Sequence, residues 1–300
     1  MKLYRSITVG VSPAQERAAL SEGSRCAVAQ ARWLAERTGA SLSLLHSTYD
    51  QECEENDGAP AAPMDFVATL EALAKECTQA GVETTIHYST DRPWLALTKR
   101  VLKTKSELAI VGKHDSSKPR EMGINTTNLL RNSPGPVWVV DPHTEPAKHC
   151  ILAATDLSPV GERVTQMAAY LAAESGSEFH IVHAWQRSMH DQLRRDFESE
   201  EELEERISAK EARITESILD GLGEIRERVT PILHVGCTTP ERAIREGLEA
   251  LHPELVVMGT LSRTGVPGLL IGNTAERLVR TIPCSLLTIK PKGFVSPVSM

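Results

Sequence analysis

The residues best placed to do chemistry in this chain are Gly259, Ser262, Gly272, Asn273 and Thr274. Leu255 to Met258 reads as a buried apolar strand, Gly259 opens a loop, and Gly272, Asn273 and Thr274 read as the first turn of a helix. Such an arrangement turns several backbone N–H groups, together with the positive end of a helix dipole, toward one point, which is what an anion such as phosphate requires. The glycines allow backbone to approach that anion without an intervening Cβ, and Asn273 and Thr274 can donate from side chain or backbone. Ser262 lies within this loop; at a positive φ it costs about 1 kcal/mol, and its hydroxyl either crowds the anion or adds a donor.

Other reactive residue types are present without the spacing that chemistry needs. His46 and His183 end equivalent strands, as do His87 and His234, which invites a catalytic or metal-binding reading. No carboxylate or thiol lies at metal spacing beside them, so imidazoles that satisfy loop backbone groups are the expectation, with no metal required. His114 beside Asp115 reads as surface. The six cysteines form no C-x-x-C pair and are expected as reduced thiols in or near the core, with Cys53, in a polar loop, as a candidate reactive exception. Trp33, Trp94, Trp138 and Trp185 sit on four different elements and read as core or interface anchors rather than a platform for stacking bases.

The elements that must carry these residues alternate. SITVGV at 6–11 has the pattern of a strand buried on both faces, and a helix follows from Arg17 to Arg37, with Ala29, Trp33 and Leu34 inward and Gly39 beyond its end. Strands at 41–46, 83–87, 108–111 and 137–140 alternate with a helix carrying Phe66, Leu70, Leu73 and Cys77 on one face and another at 93–102. This alternation implies a parallel sheet with right-handed crossovers. The pattern then restarts, with strands at 151–155 and 180–183 flanking a helix at 162–174. His87 and His234, Pro93 and Pro240, Glu107 and Glu254, and Gly112 and Gly259 all recur at one offset of 147 residues, the mark of an internal duplication. Residues 141–149 read as the linker, giving domains at 1–143 and 149–300. The second half adds an elaboration at 186–222, read as a long amphipathic helix with Leu203, Ile207, Ile214 and Ile218 on one face and a solvated acidic run at 198–205.

Composition narrows the function classes. A chain of 300 residues suffices for two cores, and a net charge of −7 argues against a general nucleic-acid binder, which needs a basic face. No apolar run reaches membrane-spanning length, and MKLYRSITVGV enters a strand pattern directly rather than through a signal peptide, so the cytoplasm is the expected location.

Gly259-x-x-Ser262 followed after nine residues by Gly272-Asn273 resembles the G-x-x-G-x9-G-[S/T/N] motif of the universal stress protein family, and the likeness extends over nearly the entire chain through the paired strand endings LLH (44–46) and IVH (181–183). The resemblance implies an α/β chain of two tandem Rossmann-like domains, of the adenine nucleotide alpha hydrolase-like type. Each would have a five-stranded parallel sheet of order 3-2-1-4-5 with flanking helices. Pairing through last strands would be internal, making an intramolecular pseudo-dimer, with further homodimerisation left open. In the second half, the resemblance places ATP or a related adenine nucleotide against Thr155, Asp156, Ala184, Gly259, Ser262, Gly272, Asn273 and Thr274. Asp156 would accept from ribose hydroxyls or an exocyclic amine, Ala184 would flank the base, and the bland alternative is that Asp156 merely caps the turn at Ser158-Pro159. In the first half Ser12 replaces Asp156, and Asp115 replaces Ser262 where its charge would repel phosphate, so no nucleotide is expected there.

The function expected is that of a non-enzymatic stress-response sensor or regulator, with ATP hydrolysis slow at most because no base, nucleophile or metal is supplied. Two other readings stay open: a carrier or sensor of an apolar, lipid-like amphiphile held between the halves or beneath the long helix, and a ligand-free scaffold for protein partners.

Overall fold

The structure, a computed structural model, describes residues 4–14, 18–49, 64–113, 122–142, 150–187, 199–260, 278–279 and 281–299. These fall into two compact units, the first built from the described residues before 147 with Thr260 and those from 279 onward, the second from those between 150 and 259 with Leu278.

The first unit runs β1 (Ser6–Val11), α1 (Glu22–Thr38), β2 (Ser41–Ser47), α2 (Met64–Gln79), β3 (Thr84–Ser89), α3 (Pro93–Thr104), β4 (Leu108–Gly112), α4 (Ile124–Asn132) and β5 (Val137–Val140). Its strands lie in the order β3-β2-β1-β4-β5, all parallel, as the resemblance implies. The second unit runs β6 (Cys150–Ala154), α5 (Pro159–Ser175), β7 (Glu178–Trp185), α6 (Glu200–Gly221), a 3-10 turn (Gly223–Arg228), β8 (Pro231–Cys237), α7 (Pro240–Leu251) and β9 (Leu255–Gly259), with parallel strand order β9-β6-β7-β8. The last strand, β10 (Ser285–Ile289), groups with the first unit and lies antiparallel to β5, with Leu287 opposite Trp138.

Local chemistry accounts for these elements. Strands β1, β4, β5 and β10 are apolar runs covered on both faces, and Ile7, Val9, Leu108, Ile110, Val137 and Leu286 are among the residues fully removed from water. Burying each such side chain contributes about 1.5–3 kcal/mol. Helices α1 and α5 begin at capping serines, Ser21 and Ser158, whose hydroxyls accept from Ser24 N and Gly161 N, and both end at a left-handed glycine, Gly39 and Gly176, each at φ 71°. Helix α1 therefore starts five residues later than Arg17: the Ser21 cap sets its start, and just ahead of that cap Leu20 is bridged to Pro13. Helix α4 is an element that periodicity did not predict: only Leu129 and Leu130 of its nine residues are buried, too few to print an apolar face on the sequence. In the elaboration, α6 opens with a Ser199–Glu202 capping box and three glutamates in its first turn, where a carboxylate favours the helix dipole. Of its expected apolar face, Ile218 is buried while Leu203, Ile207 and Ile214 are half-buried.

The cysteines divide more than expected. Cys77, Cys150 and Cys284 are buried and Cys26 half-buried, but Cys237 is exposed, because it ends β8 where the strand leaves the sheet; Cys53 lies outside the described residues.

Two lysines are buried in the first unit. Lys113 Nζ donates to Asp141 Oδ2 at 3.1 Å and to the Ile282 carbonyl at 3.0 Å. Lys290 Nζ donates to the carbonyls of Leu130 at 2.6 Å and Arg131 at 3.2 Å, at the end of α4, and lies 4.4 Å from the Phe294 ring centre. The dipole of α4 favours a cation there, while burial pushes the Lys290 ammonium down to about 8 from 10.5. The folded chain thus gives up this proton more readily than the unfolded one. The resulting stabilisation is present above pH 10.5 and lost as pH falls through about 8. Lys290→Met cannot titrate, so urea unfolding should find wild type gaining on the variant by up to ~3 kcal/mol between pH 7.5 and 10.5; an unchanged difference would contradict this account.

Candidate functional site

In the second unit the chain passes from β6 to β7 and β8 on one side and returns on the other as β9, so the strand order reverses between β6 and β9. The crevice beyond the carboxyl ends of strands at such a reversal is where open α/β sheets take ligands. Thr155 and Asp156 follow β6, Gly259 ends β9, and Ala184 is the next-to-last residue of β7, in register with Gly236 of β8. These four expected residues therefore gather at one edge of the sheet. Ser262, Gly272, Asn273 and Thr274 lie outside the described residues.

The turn after β6 is tightly determined. Thr155 is buried; its N–H donates to the Val182 carbonyl at 3.1 Å, its Oγ1 accepts from Leu157 N at 3.2 Å, and its carbonyl accepts from His183 Nδ1 at 2.9 Å. Asp156 Oδ1 accepts from Ser158 N at 3.0 Å and from the Ser158 hydroxyl. The turn-capping role weighed from the sequence is thus real, and it fixes the carboxylate at the start of α5 rather than excluding a ligand from it. Leu157 takes φ 60°, a left-handed conformation that costs a non-glycine residue about 1 kcal/mol, and its side chain is 40% exposed at the mouth of this turn.

Gly161 is the residue that sequence reasoning missed. A Cβ there would lie 2.5 Å from Thr155 Oγ1 and 2.7 Å from Asp156 Oδ1, so only glycine lets the first turn of α5 come against the two site residues. The spacing Asp156 to Gly161 carried that signal, but only beside the first copy, where Ser24 stands three residues after the cap as Gly161 does. There the hydroxyl fills the space: Ser24 Oγ accepts from Ser12 N at 2.9 Å and from Ser21 Oγ at 2.8 Å. Two neutral hydroxyls, of Ser12 and Ser24, stand where the second copy has one carboxylate and a glycine.

The neighbouring contact differs in the same way. In the second unit a Cβ on Gly259 would meet Val160 Cγ1 at 3.0 Å, whereas in the first unit a Cβ on Gly112 would fall 2.1 Å from the carbonyl carbon of Gly23. Gly23 holds the place of Val160, so here helix and strand touch backbone to backbone, and the first unit's crevice is shut at this point by its own main chain. Asp115, expected to repel phosphate, lies outside the described residues.

The histidines at the strand ends behave alike in both copies. His46 Nδ1 donates to the Val11 carbonyl at 3.1 Å just as His183 Nδ1 donates to that of Thr155, since a carbonyl can only accept. Burial lowers the His46 pKa, and this bond opposes it. Among the described residues no group of three or more histidine, cysteine or acidic side chains is arranged to hold a metal, and no helix is long and apolar enough to cross a membrane. At the outer end of β7, Trp185 is gripped by α6: Lys210 Nζ lies 4.1 Å from its ring centre and its Nε1 donates to Glu211 Oε1 at 3.3 Å.

A family model described as the universal stress protein family matches residues 3–141 and 149–290. Universal stress protein E of Escherichia coli K12 is 25% identical over 321 residues, spanning 100% of this chain and 98% of its own length, and the Salmonella typhi protein of that name is also 25% identical over 320 residues. Among solved structures, a Pseudomonas aeruginosa PAO1 protein of unknown function aligns with a TM-score of 0.72 at 23% identity over 97% of this chain and 94% of its own. A universal stress protein from Archaeoglobus fulgidus aligns at 0.62 with 16% identity over 95% and 98%. Both share the fold.

Gly161→Ala should lower the melting temperature by at least ~2 °C, because the added methyl must push Thr155 and Asp156 apart at a cost of about 1–3 kcal/mol. Gly259→Ala, whose methyl meets only a valine methyl, should cost less; equal melting for wild type and Gly161→Ala would deny the close approach its importance.

Proposed function

Starting from a chain that belongs to the universal stress protein family in both of its halves, we propose that it is a stress-response regulator that binds ATP or a related adenine nucleotide in its second domain. The domains we assign are 1–143, a scaffold that has lost the nucleotide site, and 149–300, which keeps it. One observation carries this reading: at the strand-order reversal between β6 and β9 stand a fixed carboxylate, Asp156, and a glycine, Gly259, with Gly161 leaving room for Thr155 and Asp156.

In this reading Asp156 receives the ribose hydroxyls, Ala184 lies against the base, and the segment from Gly259 through Ser262 to Gly272, Asn273 and Thr274 holds the phosphates. The chain works in the cytoplasm as a sensor rather than an enzyme. In this reading His183, whose Nδ1 donates to the Thr155 carbonyl, and Asp156, whose Oδ1 accepts from Ser158, serve to hold the turn and the ligand rather than to carry out chemistry. Hydrolysis would be slow at most.

Isothermal titration of magnesium-ATP into the full chain should give saturable heat, and Asp156→Ala should bind at least about tenfold more weakly, one charge-assisted hydrogen bond being worth about 1.5–3 kcal/mol. Absence of heat from wild type would reject the reading.

A further inference from the structure

Each unit ends in an edge strand, β3 in the first and β8 in the second, and each carries a histidine at the same place in the repeat, His87 and His234. Their partners have been exchanged between the copies. In the first unit Arg100 Nη2 donates to His87 Nε2 and Arg100 Nε donates to Ser43 Oγ at 3.1 Å, tying β3, β2 and α3 together. In the second, the same repeat offset puts Gly247 in the place of Arg100, and the strand register puts His180 in the place of Ser43. His180 is buried, and its Nδ1 lies 3.0 Å from His234 Nε2 with the two rings only 13° from parallel.

The two arrangements respond differently to a proton. A guanidinium has no acceptor, so His87 Nε2 must accept and His87 must be neutral with its proton on Nδ1. One added proton can go only to Nε2, directly against the guanidinium. In the second unit Glu178 Oε2, 3.5 Å from His180 Nε2, favours the proton on that nitrogen, which leaves His180 Nδ1 to accept from His234 Nε2. One added proton, on whichever ring it sits, leaves a single N–H between the two facing nitrogens and keeps the bond; only a pair protonated on both rings loses it.

We propose that the His87–Arg100 contact is an acid-sensitive latch on β3, and that the His180–His234 pair holds β8 to a lower pH, so that acidification loosens the first unit's edge before the second's. The charges acting on His87 are both cationic, Arg100 and Lys103 of α3; the uncharged polar group beside its Nε2 is Thr85 Oγ1 of β3 itself, at 3.1 Å, while Ser43 of β2 takes the other arm of Arg100. His234 faces His180 of β7, whose Nε2 has Glu178 Oε2 at 3.5 Å, with Cys150 of β6 opposite Glu178; on α6, which packs on β8, Lys210 and Glu211 are engaged by Trp185, and the charges of α7 pair with each other as Arg242–Glu246 and Arg245–Glu241. Burial and then Arg100 and Lys103 lower the His87 pKa; burial and then His180 lower that of His234. A histidine whose pKa is lowered on folding contributes stability above its unfolded value of 6.5, lost as pH falls through the folded value. Released from its latch, β3 would uncover the N–H and C=O groups that it pairs with β2.

Hydrogen–deuterium exchange of the full chain from pH 7.5 to 5.0, corrected for the intrinsic pH dependence of exchange, tests the proposal. Peptides covering β3 should lose protection about tenfold, while those covering β8 keep theirs over this range. His87→Gln accepts from Arg100 at every pH and should abolish the step; Arg100→Gln, which keeps a donor without the cation, should shrink it and serves if the first variant does not fold. A flat profile for β3, an unchanged step in either variant, or loosening of β8 at the same pH would overturn it.

Discussion

The structure depends on how near the start of the first helix in each copy comes to the end of the fourth strand. Both copies use the same devices to set that distance, a serine cap at the helix start and a glycine at the strand end. What differs is a pair of residues inside the first helical turn. Gly23 and Ser24 bring α1 into main-chain contact with β4 and fill the remaining space with hydroxyls; Val160 and Gly161 hold α5 one side chain away from β9 and yield the space to Asp156. Two residues per copy thus decide whether a crevice common to the fold is filled by the protein or offered to a charge.

Much of the fold was legible because its signals are local. SITVGV declares a doubly buried strand, Ser21 and Gly39 bracket a helix, and the constant spacing from His87 to His234 and from Gly112 to Gly259 announces two copies before any element is assigned. What stayed hidden depends on distant partners. Nothing near Lys113 or Lys290 in the chain says that a lysine will be buried; the reasons, Asp141 and the carbonyls that end α4, lie 28 and 160 residues away. Helix α4 was missed because its cohesion comes from two leucines and those lysine contacts rather than from a periodic face. At the candidate site, the carboxylate and the glycine of β9 were readable from the motif, whereas Gly161 acquires meaning only when its missing Cβ is set against Asp156.

The duplication also acts as an internal control on what is architecture and what is site. The bond from His46 to Val11 and from His183 to Thr155 is the same in a copy with Asp156 at the turn and a copy with Ser12 there, so it belongs to the strand end. The partners of His87 and His234 have diverged, as have Asp156 and Ser12, and divergence at matched positions marks where the copies answer to different demands.

The meeting of Gly23 with Gly112 also limits what substitution can do in the first unit. A Cβ on Gly112 would fall 2.1 Å from the Gly23 carbonyl carbon, and one on Gly23 would fall 2.5 Å from the Lys113 carbonyl oxygen, so neither position accepts a side chain unless main chain moves. Lys113 is in turn anchored through its buried pair with Asp141, where loss of either partner alone costs about 3–5 kcal/mol. Helix start, strand end and ion pair are thereby interlocked, and a change at any one of the three is felt by the other two.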